Sequence, residues 1–217
     1  MKERQPTISV VDDDAAARSS LRLLLKSLGL AATAYDSAAA FLASHSPQQP
    51  GCLLLDIRMP GMSGLELQEE LNRRGSLTPI IFITGHGDVP MAVEAMQHGA
   101  FDFLQKPFRD QELLDRVQRA LAKDRSVRDS LLEHDTIRRR LDSLTEREHD
   151  VLELVTGGAP NKIIAHKLGI SQRTVEIHRA RVMEKMSADS LAQLVHMTMA
   201  AGATRSQTLA RNTARPS

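Results

Sequence analysis

Strand-like and helix-like segments alternate strictly along about the first 120 residues, and this pattern constrains the fold most. The strand-like runs lie at 7–11, 30–35, 52–57, 80–84 and 101–104, and each is followed by a helical pattern. The run at 52–57 is continuously apolar, as expected for a strand that is covered on both faces. Such alternation predicts a parallel sheet flanked by helices. Because crossovers are right-handed, we expect a five-stranded, doubly wound, flavodoxin-like α/β fold with strand order 2-1-3-4-5.

Capping residues mark the expected helix starts in this region. Asp14 is placed to cap the first helix, and Ser63 with Glu66 has capping-box spacing for the third. The fifth helix is predicted from Asp110 to about Lys123. The first helix is expected to bury one apolar face, formed by Leu21, Leu24, Leu25 and Leu28.

The alternation stops beyond residue 124. Residues 125–142 are highly charged and are predicted to form a linker with some helical character. Residues 143–201 are predicted to be a small all-α domain, and residues 202–217, rich in Thr, Ser, Arg and Ala, to be a disordered tail. Helix N-caps are predicted at Thr145, Asn161, Ser171 and Ser190.

Charge and composition narrow the class of protein. Residues 1–124 carry 13 Lys and Arg against 16 Asp and Glu, whereas residues 125–217 carry 15 against 11. This division predicts two modules with different partners. The single cysteine, Cys52, excludes an internal disulfide and is expected to be a buried strand residue. We expect a cytoplasmic protein without membrane contact, because no apolar run approaches the roughly 20 residues that span a bilayer.

Polar residues follow four of the predicted strands, at the edge where open parallel sheets bind ligands. Asp12, Asp13 and Asp14 follow strand one, and Asp56, Thr84 and Lys106 follow strands three, four and five. Crowded carboxylates favour a bound cation, and hard oxygen ligands suit Mg²⁺. A carboxylate beside Mg²⁺ can attack a phosphoryl group, and a nearby ammonium and hydroxyl can stabilise the transferred charge. His86, in the loop after strand four, is expected to be a solvated histidine.

The basic second module contains a helix, a tight glycine turn and a second helix over residues 161–179. This is the helix-turn-helix arrangement, in which the second helix enters the major groove of DNA. Side chains predicted to face the bases are Gln172, Arg173, Glu176 and Arg179, with Ala180 beside them. Side chains predicted to contact phosphates are Lys162, Thr174, His178 and Lys185.

Four motifs of the first module are distinctive together: VDDD at 11–14, LDIRMPGMSG at 55–64, ITGHGD at 83–88 and FLQKPF at 103–108. Through these motifs the module closely resembles the receiver domain of bacterial two-component response regulators. The resemblance implies that Asp56 accepts phosphate from a sensor histidine kinase. It also implies that Mg²⁺ is bound by Asp13, Asp56 and the Arg58 carbonyl, with help from Asp12. Thr84 and Lys106 would sense the phosphate, and Phe103 would be the aromatic switch. The Lys106–Pro107 bond is usually cis in this family.

The second module resembles the LuxR-type helix-turn-helix through LTERE at 144–148, NKIIA at 161–165 and TVEIH at 174–178. Together the two modules resemble the NarL/FixJ family of response regulators. The resemblance implies that phosphorylation produces homodimers. It also implies promoter DNA and RNA polymerase as partners. It places a dimer contact on the last helix, at Leu191, Leu194, Val195 and Thr198. The same apolar stripe also fits packing against the domain's own core.

These observations predict a transcriptional regulator that phosphorylation activates, and not an enzyme beyond its own phosphotransfer and dephosphorylation. Two alternatives remain open from the residues. Asp12 and Asp14 have the Asp-x-Asp spacing of haloacid dehalogenase-like phosphatases, although no cap domain is evident. DNA binding that is independent of phosphate is the second alternative.

Overall fold

The computed structural model of the chain describes residues 5–85 and 89–202. The chain divides after Arg128 into two compact units. Each unit has a hydrophobic core of its own. The predictions for His86 and for the tail beyond Gly202 lie outside the described residues.

The strands of the first unit form one five-stranded parallel sheet. They are β1 (Thr7–Val11), β2 (Ala31–Tyr35), β3 (Gly51–Asp56), β4 (Ile80–Thr84) and β5 (Asp102–Gln105). Their order is β2-β1-β3-β4-β5, which confirms the predicted doubly wound topology. β3 and β4 are buried along nearly their whole length, because helices cover both faces of the sheet. Three strands differ from the sequence prediction by one residue: β2 begins one residue later, β3 lies one residue earlier, and β5 lies one residue later.

Helices lie between successive strands, as the alternation predicts. They are α1 (Ala15–Ser27), α2 (Ala38–Ser44), α3 (Gly64–Arg73) and α4 (Val89–Gln97). The Asp14 side chain accepts the N–H of Ala16, and Ser63 and Glu66 form a complete capping box. Both predicted caps are therefore confirmed, and they fix where α1 and α3 begin.

The apolar face of α1 is narrower than the sequence predicts. Leu21 and Leu25 are buried, but Leu24 is only half-buried and Leu28 is exposed. Leu28 is exposed because α1 stops at Ser27 and Gly29 adopts a left-handed conformation (φ 73°) that turns the chain away, whereas Leu24 still packs partly against the core.

The fifth helix is much longer than predicted. α5 (Asp110–Asp142) continues through the segment that the sequence indicates as a linker, instead of ending near Lys123. Residues 110–142 contain neither Gly nor Pro, so nothing in the segment breaks a helix. Ion pairs one helical turn apart, such as Arg128–Asp124 and Arg139–Asp135, stabilise the polar stretch.

The second unit is all-helical beyond α5, as predicted. It contains α6 (Glu146–Thr156), α7 (Asn161–Leu168), α8 (Gln172–Met186) and α9 (Leu191–Ala200). The caps at Thr145, Ser171 and Ser190 are confirmed. The predicted Asn161 cap is wrong, because Pro160 occupies the cap position and Asn161 is already the first helical residue.

Candidate functional site

An ammonium group joins two carboxylates at the carboxyl edge of the sheet. The Nζ of Lys106, which follows β5, lies 2.9 Å from Asp12 Oδ2 and 3.2 Å from Asp56 Oδ1. Asp12 follows β1 and is 2% exposed, and Asp56 ends β3 and is half-buried. The two acids come from adjacent strand ends, because Val11 and Leu55 are register partners. The structure thus brings together three residues that the sequence places at this edge.

Backbone donors orient both carboxylates. The N–H of Asp14 donates to Asp12 Oδ1 at 2.8 Å, and the N–H of Arg58 donates to Asp56 Oδ2 at 2.9 Å. Each acid therefore uses one oxygen for the backbone and turns the other toward Lys106. Such donors stabilise the charged form of a carboxylate and keep its position fixed.

The remaining predicted receiver residues lie around this cluster. Thr84 is buried at the end of β4, and its carbonyl oxygen accepts the N–H of Lys106 at 2.7 Å. The Lys106–Pro107 peptide is cis. Asp13 is exposed beside Asp12. The Phe103 side chain is 38% exposed on β5, so it is not packed inward.

The start of α3 lies against the backbone of Asp56. The N–H of Gly64 donates to the carbonyl oxygen of Ile57 at 2.9 Å. A Cβ atom at position 64 would lie 2.3 Å from the carbonyl oxygen of Asp56. Glycine is therefore required for this close approach, which supports the strand end that carries the acid.

Arg18 is a neighbour of the acidic cluster that the sequence reasoning missed. Its Nη1 donates to the carbonyl oxygen of Asp12 at 2.7 Å, and its own N–H donates to the carbonyl oxygen of Asp14. The Arg18 guanidinium thus stabilises the turn between β1 and α1. The spacing of four residues from the Asp14 cap is the sequence signal that places Arg18 over this turn.

Electrostatics in the cluster leave an excess of negative charge. Burial raises the pKa of Asp56, and the Asp12 carboxylate raises it further, which outweighs the opposing effect of Lys106. Burial alone would lower the pKa of Lys106, but hydrogen bonding and attraction to Asp12, then to Asp56, raise it overall. One ammonium therefore does not balance the two acids that contact it.

The donor set fits a hard divalent cation. Carboxylate oxygens of Asp12 and Asp56, the exposed Asp13 and a backbone carbonyl match what Mg²⁺ prefers, with waters completing its shell. Within residues 5–85 and 89–202, no three His, Cys, Asp or Glu side chains are arranged as a ready metal cage. Mg²⁺ needs only one or two carboxylates from a protein, so the residues present fit this ion.

In the second unit, α7 and α8 form the predicted helix-turn-helix. Gly169 ends α7 in a left-handed conformation (φ 66°), and the Ser171 side chain accepts the N–H of Thr174 to start α8. The buried residues Ile164, Ala165 and Val175 join the two helices, with Leu168, Ile170 and Met183 packed against them. Among the residues predicted to lie at the DNA, the exposed ones are Lys162, Gln172, Arg173, Glu176 and Ala180.

Two of the predicted DNA contacts already have partners inside the unit. Arg179 Nη1 donates to Asn161 Oδ1 at 2.6 Å, and Lys185 Nζ donates to Glu148 Oε2 at 2.6 Å. Lys185 also donates to the carbonyl oxygen of Ser143 at 3.1 Å. These two cations therefore differ from the exposed Lys162 and Arg173 of the same surface.

Thr174 and His178 occupy intermediate positions. The Thr174 hydroxyl is 2.8 Å from the Ser171 hydroxyl, and its side chain is half-buried. His178 is also half-buried, and its Nδ1 is buried without a hydrogen-bond partner in the described residues.

Ile177 is an exposed apolar residue of α8 that the sequence reasoning missed. Its side chain is 47% exposed although the neighbouring Val175 is fully buried. It lies one turn beyond Arg173 and next to Glu176, so helical periodicity puts it on their face. A large apolar side chain on that face suits contact with a thymine methyl group.

The predicted dimer stripe on α9 is split between core and surface. Leu194 and Thr198 are buried, and Leu194 belongs to the hydrophobic core of the unit. Val195 is half-buried, and Leu191 and Met199 are exposed. The part of the stripe at Leu194 and Thr198 therefore packs on the unit's own core, which was the alternative interpretation.

Comparisons with known proteins match each of the two units to a protein family. Residues 8–118 match the family of response regulator receiver domains, and residues 142–198 match the luxR family of bacterial regulatory proteins. The transcriptional regulatory protein FixJ of Azorhizobium caulinodans is 50% identical over 202 residues, which cover 93% of this chain and 95% of that protein. The chain belongs to the NarL/FixJ family of response regulators.

Further relatives span nearly the whole chain. Nodulation protein W of Bradyrhizobium diazoefficiens is 47% identical over 201 residues, covering 93% of this chain and 88% of that protein. Among solved structures, the response regulator StyR has a TM-score of 0.84 at 47% identity, covering 90% of this chain and 98% of that one. Full-length FixJ from B. japonicum has a TM-score of 0.58 at 44% identity, covering 92% and 98%.

Membership in the NarL/FixJ family settles the general activity of the chain. It is a response regulator with a receiver domain and a LuxR-type DNA-binding domain, and it is a FixJ-like transcriptional regulator. A receiver domain implies a histidine kinase partner, and the LuxR-type domain implies DNA binding. In the described part of the chain, no helix is both long and apolar enough to cross a membrane.

Proposed function

We propose that Asp56 accepts a phosphoryl group from a sensor histidine kinase, and that this event enables sequence-specific DNA binding by α8. The observation that carries the proposal is the cluster in which Lys106 contacts both Asp12 and Asp56. A half-buried carboxylate with a raised pKa, fixed by a backbone donor and facing an ammonium, is suited to nucleophilic attack on phosphorus.

The transfer moves a phosphoryl group from a kinase histidine to Asp56. A carboxylate oxygen of Asp56 forms the new P–O bond, the P–N bond of the phosphohistidine breaks, and the imidazole leaves with the electron pair. Lys106 is within 3.2 Å of Asp56 Oδ1, so its Nζ is close enough to pair with a phosphoryl oxygen. The hydroxyl of Thr84, on the neighbouring strand end, is the proposed second donor to that group.

Asp12, Asp13, Asp56 and the carbonyl of Arg58 are the residues that would hold Mg²⁺. When bound, this ion offsets the negative charge of the transferred group. The chain's own residues orient the reacting carboxylate, and Lys106 keeps a positive charge beside it in every step. The protein turns over only its own phosphoryl group, so we do not propose an enzyme that acts on other substrates.

Phosphorylation is proposed to shift the receiver toward a dimerising state. Val93, Met96 and Phe103 are exposed apolar side chains on α4 and β5. An inward turn of Phe103, as Thr84 moves toward the phosphate, would change this face. Leu191, which is exposed, and Val195, which is half-buried, are the proposed contact on α9 between DNA-binding units. Two copies would then bind DNA half-sites about one helical turn apart.

The proposed DNA contacts are side chains of the helix-turn-helix that the structure leaves exposed or half-buried. Gln172, Arg173 and Glu176 are proposed to face base edges, with Ile177 on a thymine methyl group. Lys162, Thr174 and His178 are proposed to contact phosphates. Lys185 is left out, because its ammonium is already bound to Glu148. We place the protein in the cytoplasm, at promoter DNA, with RNA polymerase as the partner of the bound regulator.

The phosphatase alternative is disfavoured by the position of Asp14. Its carboxylate is exposed and accepts the N–H of Ala16 as the cap of α1. The second acid of an Asp-x-Asp pair is thus engaged in capping instead of facing the cluster. Turnover of p-nitrophenyl phosphate would support the phosphatase and count against the regulator.

DNA selection from a pool of random duplexes tests the proposal. The full chain and its Asp56→Asn variant are compared with and without Mg²⁺ and acetyl phosphate at one fixed salt concentration, because salt alone changes such affinities by orders of magnitude. We expect the phosphodonor to tighten selective binding in the wild type alone. Equal affinity of both proteins under all conditions would show that DNA binding is independent of phosphate.

A further inference from the structure

Arg179 of α8 is engaged with the start of α7. Its Nη1 donates to Asn161 Oδ1 at 2.6 Å, across 18 positions of sequence. Both side chains are half-buried. We propose that Arg179 is a positioning residue that holds α7 against α8, the helix proposed to enter the major groove, and that Arg179 does not read bases. The inference rests on the DNA binding proposed above.

The start of α7 lacks the usual local support, which explains why this bond matters. Pro160 occupies the cap position and makes no side-chain cap hydrogen bond. The link from Asn161 to Arg179 is a charge-assisted hydrogen bond, a class that is shorter and stronger than neutral ones. It ties the first residue of α7 to the middle of α8, so it fixes the angle at which α8 is presented.

A guanidinium beside the first residue of α7 needs an acceptor, and Asn161 supplies one. The N-terminal end of a helix carries partial positive charge, so a cation at that end is disfavoured unless another group compensates. The amide oxygen of Asn161 is the acceptor that the structure provides. Without it, a half-buried Arg179 would lose this partner and α7 would lose its tie to α8.

Reading a base would require Arg179 to break this bond. Arginine recognises guanine by placing two N–H groups of its fork on O6 and N7. The exposed Gln172, Arg173 and Glu176 need no such release, since the described residues show no intramolecular partner for their side chains. Other N–H groups of Arg179 can still donate to a phosphate, which positions the protein without specifying a sequence.

A double-mutant cycle on the full chain tests the proposal. The variants are Asn161→Ala, Arg179→Met and their combination, with Arg173→Met as the matched control on the same helix. Alanine has the highest helix propensity, so Asn161→Ala does not weaken α7 on that ground. The probe is a duplex that the phosphodonor-treated wild type selects from a random pool, and base preferences are measured at every position at fixed salt.

We expect both single variants and the double variant to bind this duplex about tenfold more weakly, with non-additive losses and unchanged base preferences. Arg173→Met, in contrast, should relax the preference at one base pair. Circular dichroism checks the helical content of each variant. Arg179→Lys, which keeps the charge but lacks the fork, gives a second measurement of base preference if Arg179→Met does not fold.

Three results would overturn the inference. The first is a relaxed preference at one base pair in either Arg179 variant but not in Asn161→Ala. The second is a loss of DNA affinity in the double variant that equals the sum of the two single losses. The third is wild-type affinity in both single variants. A wild type that selects no DNA would refute the proposed function itself, and this inference with it. The two failures are therefore distinguishable from the wild-type arm alone.

Discussion

The ion pair between Glu148 and Lys185 gives the sharpest prediction of stability in the second unit. Glu148 is 2% exposed, and its Oε2 accepts the Thr145 N–H at 2.8 Å and the Lys185 Nζ at 2.6 Å. The bond from Lys185, followed by the one from Thr145, lowers the pKa of Glu148 from 4.5 to about 2. The perturbation is Lys185→Met, which removes the ammonium and leaves the buried carboxylate with its backbone donor.

The expected loss of stability follows from the lowered pKa of Glu148. A lowering of the pKa of Glu148 from 4.5 to about 2 corresponds to about 3 kcal/mol of stabilisation in total. Part of it belongs to the Thr145 donor, and the side chain of Lys185 is 35% exposed, so solvent screens its charge. We therefore expect Lys185→Met to reduce the free energy of unfolding of the second unit by about 2 kcal/mol at pH 7.

The pH dependence has a definite sign. A carboxyl group with a lowered pKa in the folded state stabilises above its unfolded pKa of 4.5, and loses that effect as pH falls toward 2. Wild type and Lys185→Met should thus differ fully at pH 7, and by only about 1 kcal/mol near pH 3.

Native-state hydrogen exchange, read by mass spectrometry on peptides from α6 and α8, measures this difference on the full chain. Peptides from the receiver sheet serve as an internal reference. Lys167→Met, at an exposed lysine of α7, is the control and should change the exchange by less than about 0.5 kcal/mol. Equal effects of the two variants at pH 7, or a gap that does not narrow in acid, would refute the reasoning.

Two further predictions concern the first unit. Gly64→Ala should slow phosphorylation by acetyl phosphate between about 10- and 100-fold, because its Cβ would lie 2.3 Å from the carbonyl oxygen of Asp56. Gly75→Ala, beyond the C-terminal end of α3, is the control for backbone strain (φ 66°) without a clash and should slow it far less; phosphate-affinity gels report both rates. Arg128→Met should destabilise the receiver by about 3 kcal/mol in urea unfolding, since it leaves the buried Asp124 without its cation. The N–H of Gly51 also donates to Asp124 Oδ2, at 2.9 Å. A loss below about 1 kcal/mol would mean that this N–H satisfies the Asp124 carboxylate alone.

Local signals in the sequence were sufficient to predict the first unit. Continuous apolar runs identified β3 and β4, and caps such as Asp14 and Ser63 identified the helix starts, because these depend on neighbouring residues only. The topology then followed from the handedness of crossovers. The meeting of Asp12, Asp56 and Lys106 followed in turn, since parallel strands bring their carboxyl ends to one edge.

Long-range contacts are what the sequence could not reveal. The bond between Asn161 and Arg179 and the pair of Glu148 with Lys185 join residues 18 and 37 positions apart. No periodicity encodes such pairs, so the sequence reasoning assigned Asn161 to a cap and both cations to DNA. The length of α5 was missed for a different reason. Its polar composition suggested a linker, but ion pairs one turn apart make a polar helix stable.

Each unit contains a lysine bound to a buried carboxylate, and the difference between the two supports the proposal that only the cluster at Lys106 is reactive. At Lys185, one ammonium meets one acid that also has a backbone donor, and the pKa of Glu148 falls to about 2. At Lys106, one ammonium meets two acids, and the pKa of Asp56 rises because burial and Asp12 outweigh the lysine. A balanced pair stabilises a core and has little affinity for another charge. The unbalanced cluster retains negative charge that suits a cation, and its partly exposed acid is suited to the proposed attack on phosphorus.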